Sequence, residues 1–324
     1  MIECSPDPYP IAFLVALRIA AVVTLPINLF GLYLIVFKSP KHMKDARIIL
    51  FTYQLCNTCF DFWINSIIEP VMLFPLPFGK THGLLQLVYD IPFNTGIMLS
   101  TIFVVNTISS FLQVFHYRLN FVLPNDSMLK FHSRWKFSVM RFFYYGVFDG
   151  AIIAAFFIWN GNMHEQEQQL LATYTCARPL FANRDLETFD WHKTYYMFIV
   201  FTIESIIAIL TSLTMLGLSF YYLPRLPAIS EKTQRLQKEF QTSLFFQAFI
   251  PLIFVMLPGL VFEIFTVIGY TEMQTLTNVM MVLLAFYGAM SSVLMIIFNR
   301  DYRIFTLQLL TMKSKVVPSE SSTS

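Results

Sequence analysis

Apolar positions run in seven long blocks along this chain, at about 11–37, 48–74, 84–115, 138–159, 194–222, 243–268 and 276–298. Each block reaches the roughly 20 residues that a helix needs to cross a bilayer core of about 30 Å. The pattern predicts an all-α membrane protein, a seven-transmembrane helix bundle within residues 1–310, followed by a disordered cytoplasmic tail at 311–324.

Charge then orients the bundle. Segments 38–47, 116–141, 223–241 and 299–324 hold seventeen Lys or Arg, whereas 1–10, 70–83, 160–193 and 269–275 hold four. Cytoplasmic loops collect basic residues, so the N-terminus is expected outside and the C-terminus inside. The first ten residues carry no base and the first block ends in Lys38, Lys41 and Lys44, which reads as a retained first span rather than a cleaved leader. Charged residues make up 13% of the chain, against about 25% in a typical soluble domain. The bases are sorted by side of the bilayer rather than clustered, so nucleic acid is not an expected partner.

Few charges lie within the blocks, and each is costly there, at roughly 2.5–3.5 kcal/mol near mid-bilayer. Apart from Arg141 at the basic edge of the fourth block, they are Arg18, Asp61, Glu69, Asp90, Asp149, Glu204 and Glu263. Helical rise puts Arg18 about 10 Å below the outer edge and Asp61 about 21 Å from the inner edge, level with each other in a core of about 30 Å. An Arg18–Asp61 structural ion pair is therefore expected, with Glu69 as the rival partner. Glu204 and Glu263 have no base at their depth. With Asp90 near the outer interface, they are the candidate ligand contacts in a cavity lined by aromatic side chains. Such a site suits a small, mostly apolar chemical ligand.

Prolines punctuate the spans. Pro251 and Pro258 both fall in the sixth block, where each removes a backbone hydrogen bond, so the pair is either a hinge or a static kink. The external segment 160–193 is the longest loop and a candidate lid. Cys4 and Cys176 share the outer side, where they are either a disulfide or two free thiols. Cys56 and Cys59 share a face of the second span and read as small packing residues. All six histidines lie in loops or at helix ends, so no metal and no cofactor are expected. Neither a phosphate-binding loop nor a nucleophile elbow occurs, and an enzyme is not expected.

Several segments carry a resemblance. FGLYLIVFKSPKHMK runs from Phe30 to Lys44, Asp61 sits in the second span, and EPVMLFPLPFGKTHGLL runs from Glu69 to Leu85. FFQAFIPLIFVMLP covers Phe245 to Pro258, and FNRDYR covers Phe298 to Arg303. In this order they resemble the motifs of the nematode serpentine chemoreceptors, most closely class H, with class I nearly as close. The chain departs from that pattern at Phe115-His116-Tyr117-Arg118, which lacks the family's acid, and at Asn299-Arg300-Asp301-Tyr302-Arg303, which lacks its proline. The resemblance implies a chemosensory receptor in the plasma membrane of sensory-neuron cilia, coupled to a heterotrimeric G protein that Arg118, Arg235, Lys238 and Arg303 would face. A seven-helix ligand-gated channel of inverted topology and a small-molecule transporter are the rival readings.

Orientation has a direct check. An N-terminal epitope should stain on intact cells and a C-terminal epitope only after permeabilisation. The reverse pattern overturns the charge argument and favours the channel.

Overall fold

The computed structural model describes residues 7–39, 44–73, 78–89, 92–124, 134–159, 187–188, 191–223, 252–259 and 273–311, with a few isolated positions besides. Cys4, Asp90, Cys176, Arg235, Lys238, Pro251, Glu263 and the tail from 312 onward lie outside them.

The first helix, α1, is Ile11–Lys38, and α2 is Lys44–Phe62, which continues as a π-helical turn at Trp63–Ile68. Strands β1 (Pro70–Met72) and β2 (Phe78–Thr81) and the short α3 (Leu84–Tyr89) lead into α4 (Phe93–Val122). Then follow α5 (Arg134–Trp159), β3 (Glu187–Thr188) and α6 (Trp191–Tyr222). A π-helical segment spans Leu252–Met256, and α7 (Met273–Ala285), α8 (Tyr287–Phe298) and α9 (Arg300–Leu310) close the chain. Among the described residues, five stretches are long and apolar enough to cross a membrane: Ile11–Lys38, Phe93–Val122, Ser138–Phe157, Ile199–Tyr222 and Gln274–Phe298.

Local chemistry sets the boundaries. The second apolar block reaches further than its helix. Glu69 takes a left-handed conformation (φ 43°, ψ 64°), which ends the π-turn, and its N–H donates to the Ile64 carbonyl at 3.2 Å. The third block splits at Pro92, which stands as the cap of α4; a ring without an N–H starts a helix well and continues one badly. α4 then runs on to Val122 and stops at Leu123, just before Pro124. At α9 the Asn299 side chain accepts from the N–H groups of Asp301 (3.1 Å) and Tyr302 (3.5 Å), so an asparagine N-cap starts this helix.

α4 is the centre of the bundle. Its apolar stretch is 61% buried, against 18–39% for the other four, and it packs on α2, α5 and α6. α1 closes the other side against α2, α7 and α8. The aromatic and aliphatic core at one end holds Ile35, Tyr53, Phe111, Phe115 and Tyr302. At the opposite end β1, β2 and β3 form a small antiparallel sheet, an addition to the all-helical expectation. β3 comes from the long segment 160–193 and pairs Glu187 with Gly79 and Thr188 with Phe78. Gly79 presses on the Phe93 ring, which leaves no room for a Cβ and seats the sheet on the start of α4.

A break in the last span organises the bundle interior. α7 ends at Ala285 and α8 begins at Tyr287, which frees backbone groups where no water is at hand. Asp61 from α2 accepts from the N–H groups of Gly288 (3.1 Å) and Ala289 (3.2 Å). Asn65 of the π-turn donates to the freed Ala285 carbonyl at 3.0 Å. Asn28 of α1 donates to Asp61 at 2.7 Å and accepts from the Ser292 hydroxyl at 2.7 Å. Gln54 donates to Ser292 at 2.6 Å, and Tyr53 shares a 2.7 Å hydrogen bond with Ser291.

A Cβ on Gly288 would stand 2.5 Å from an Asp61 carboxylate oxygen. Gly288→Ala should therefore break the capping bonds and cost about 2–3 kcal/mol, read as a lower thermal unfolding midpoint in detergent. Gly217→Ala on α6 meets nothing within 4 Å and should be neutral or stabilising by up to about 1 kcal/mol. Equal effects from the two would remove Asp61–Gly288 from its structural role.

Candidate functional site

The sheet end of the bundle gathers Arg18, Glu69 and Lys80. Arg18 projects from α1 with its side chain 64% exposed, and its guanidinium reaches Glu69, with Nη2 to Oε2 at 3.3 Å and Nε to Oε1 at 3.4 Å. The expected Arg18–Asp61 pair does not form. Asp61 lies level with Asn28, ten residues or about 15 Å along α1 from Arg18, whereas Glu69 lies level with Arg18. Asp61 needs no cation, because Asn28, Gly288 and Ala289 already donate to its carboxylate.

Beside this pair, Lys80 of β2 donates to the Tyr9 hydroxyl at 2.9 Å, and the Tyr9 ring meets His82 edge-on at 5.2 Å. Both His82 ring nitrogens are buried without hydrogen-bond partners among the described residues. Burial, with Lys80 and Arg18 nearby, pushes its pKa down to about 4, so the imidazole is neutral above that pH.

Deeper in, two acids lie where α4, α5 and α6 meet. Asp149 of α5 accepts both bonds that the Asn106 amide of α4 offers it, at 3.1 and 3.3 Å. Glu204 of α6 has both carboxyl oxygens buried and, among the described residues, no hydrogen-bond partner. The Ser205 hydroxyl beside it is buried in the same condition. These two residues, with Val105, Ile108, Phe148 and Phe201, line a void of about 10 Å3. That is room for one water-sized group. An acid held without a donor in an apolar wall is poised to receive one.

At the opposite end, Arg118 is buried in α4 at 8% exposure, so the expected presentation of its side chain to a partner is not seen in this arrangement. Its neighbour His116 is buried too. Arg303 is exposed on α9 and donates to the Ile297 carbonyl at 3.1 Å, capping the end of α8. Tyr302 is fully buried and shares a 2.6 Å hydrogen bond with Ser39, which pins α9 under α1. Lys38 lies over the Phe305 ring at 4.2 Å and strengthens that join. Pro258 is half-buried and lies two residues after the end of the π-helical Leu252–Met256. Cys56 and Cys59 are free thiols, and Cys59 faces outward rather than into the packing. No group of three or more metal-ligating side chains occurs among the described residues.

The amides were overlooked in the sequence. Asn28 and Asn65 hold buried bonds between helices and Asn106 a part-buried one, and none of the three carries a charge to mark it. An Asn within an apolar block is itself the signal, because its amide must find partners in lipid.

The chain was compared with known proteins. A family model for the serpentine type 7TM GPCR chemoreceptor Srh matches residues 9–312. Among solved structures, squid rhodopsin superimposes with a TM-score of 0.63 over 95% of this chain and 88% of the rhodopsin chain, at 12% identity. That likeness concerns the seven-transmembrane fold alone. No curated protein matches the chain.

The Arg18–Glu69 geometry sets up a double-mutant test. Thermal unfolding of Arg18→Ala, Glu69→Ala and the double variant should show a coupling of roughly 0.5–1 kcal/mol, modest because the guanidinium is exposed. Arg18→Ala combined with Asp61→Asn should be additive. Coupling in the second pair and not the first would reverse the assignment.

Proposed function

The chain belongs to the Srh family of serpentine seven-transmembrane chemoreceptors, and from that membership we propose that it detects a small, mostly apolar chemical ligand and signals through a heterotrimeric G protein. As a member it is a multi-pass membrane receptor of the G-protein-coupled type. The finer reading rests on one observation: the Glu204 carboxyl group is buried between α4 and α6 with neither oxygen satisfied. Leaving such a group unpaired costs about 1–3 kcal/mol, which a ligand's hydrogen-bond donor returns on binding.

The void beside Glu204 holds a polar group and not a whole odorant. The ligand's polar end enters between α4, α5 and α6, and its apolar body packs on the surrounding aromatics, including Phe148 and Phe201. Asp90 and Glu263 are proposed as further contacts toward the outer side. Occupancy then shifts the sixth span, where the π-helical Leu252–Met256 already departs from regular α-helix next to Pro258. Arg118, Arg235, Lys238 and Arg303 are proposed to meet the G protein once the inner end opens, with sensory-neuron cilia as the site of action.

A calcium screen in neurons with and without the receptor identifies an agonist. With that agonist, Glu204→Leu should raise the half-maximal concentration about tenfold or more, and Glu204→Gln should retain part of the response because it keeps an acceptor. An unchanged dose–response curve for Glu204→Leu at equal surface level removes Glu204 from the site. Agonist-evoked current that persists when G-protein exchange is blocked favours the channel instead.

A further inference from the structure

A second cavity lies away from Glu204, between the start of α1 and the first turns of α7. It is a cleft of about 500 Å3, within the ~300–1,000 Å3 range of small-molecule sites. Its walls are fixed by a paired amide clamp: the Asp7 N–H donates to the Gln274 side-chain oxygen at 2.9 Å, and the Gln274 amide returns a bond to the Asp7 carbonyl at 2.6 Å.

The lining changes character along its length. Asp7, Thr275 and Asn278 stand at the sheet end, and Ile11, Val279 and Leu283 carry the wall toward the bundle middle. The polar end accepts more than it donates. Asp7 brings a carboxylate, one oxygen of which accepts from the Tyr9 N–H at 2.8 Å and the other of which is left for a ligand, and the Asn278 side-chain oxygen is buried without a hydrogen-bond partner among the described residues. Among the described residues no Lys or Arg lines the cleft. The apolar end leaves Ile11 73%, Val279 54% and Leu283 40% exposed, an open face for a hydrocarbon chain.

We propose that this cleft binds a single-chain amphiphile whose polar end donates hydrogen bonds, an amine or an alcohol, with its tail between α1 and α7. The acceptor lining excludes a carboxylate or phosphate head, which would meet the Asp7 carboxylate without a countercharge. The volume is too small for a two-chain phospholipid. The site is separate from the Glu204 reading, so either can fail while the other stands.

Photolabelling tests it. The full-length receptor, in phosphatidylcholine nanodiscs, is labelled with a diazirine analogue of dodecylamine, and the labelled peptides are mapped. Label should concentrate on the first turns of α1 and α7. Dodecylamine and dodecanol should compete it away, and dodecanoic acid should not. Val279→Trp and Ile11→Trp each fill the cleft from an exposed position, and each should cut the labelling about tenfold. Two such variants keep the test open if one fails to fold, and an unchanged chromatographic profile certifies the other. Label spread evenly over the lipid-facing residues marks ordinary boundary lipid and overturns the proposal. Equal competition by dodecanoic acid overturns it too, as does full labelling in both variants. If phosphatidylethanolamine in the nanodisc removes the label, the cleft belongs to a bilayer lipid and the proposal falls.

Discussion

The bundle depends on the Asp61 carboxylate closing the break in its last span. Between Ala285 and Tyr287 the helix gives up regular bonding, and a bilayer supplies no water to replace it. Asp61 accepts from Gly288 and Ala289, Asn65 takes the loose Ala285 carbonyl, and Asn28 brings in α1. A carboxylate at the N-terminal end of a half-helix also faces the positive end of its dipole. One acid thus satisfies the backbone of one span and fastens two others. The packing of α1 on α2 and α8, and the close approach that requires Gly288, follow from it.

This arrangement explains why a charge can be deep in the membrane and still have no ionic partner. Depth arithmetic places Arg18 and Asp61 level, but Asp61 meets Asn28, ten residues or about 15 Å further along α1 than Arg18. The arithmetic also says nothing of backbone donors. A short carboxylate takes what the neighbouring helix offers. The break in the last span has no proline to announce it, so the donors at Gly288 and Ala289 could not be read from residue types.

The spans themselves were legible because lipid leaves the chain few choices. Length and apolarity alone located α1, α4, α5, α6 and the α7–α8 span. Where the misreadings fall, short-range chemistry overrides hydropathy. Glu69 ends a helix inside an apolar block by adopting a left-handed backbone, and Pro92 divides another. Motif resemblance identified the family but could not supply roles. Asp61 fits the family pattern, yet its partners emerge only from the packing. Glu204 stood out on the principle that an acid in lipid needs a reason, and its two unsatisfied oxygens keep that reason open.

The pairing of β3 with β2 has a consequence for which of its residues can change. Glu187 and Thr188 are held to Gly79 and Phe78 as strand neighbours, through main-chain groups that every residue but proline possesses. An attachment of this kind does not read side chains. The attachment of β3 to the first hairpin therefore stays the same when the side chains at Glu187 and Thr188 change. The demanding position is the base beneath, where Gly79 meets Phe93 and only the smallest residue fits. The strand tolerates change, and the glycine under it does not.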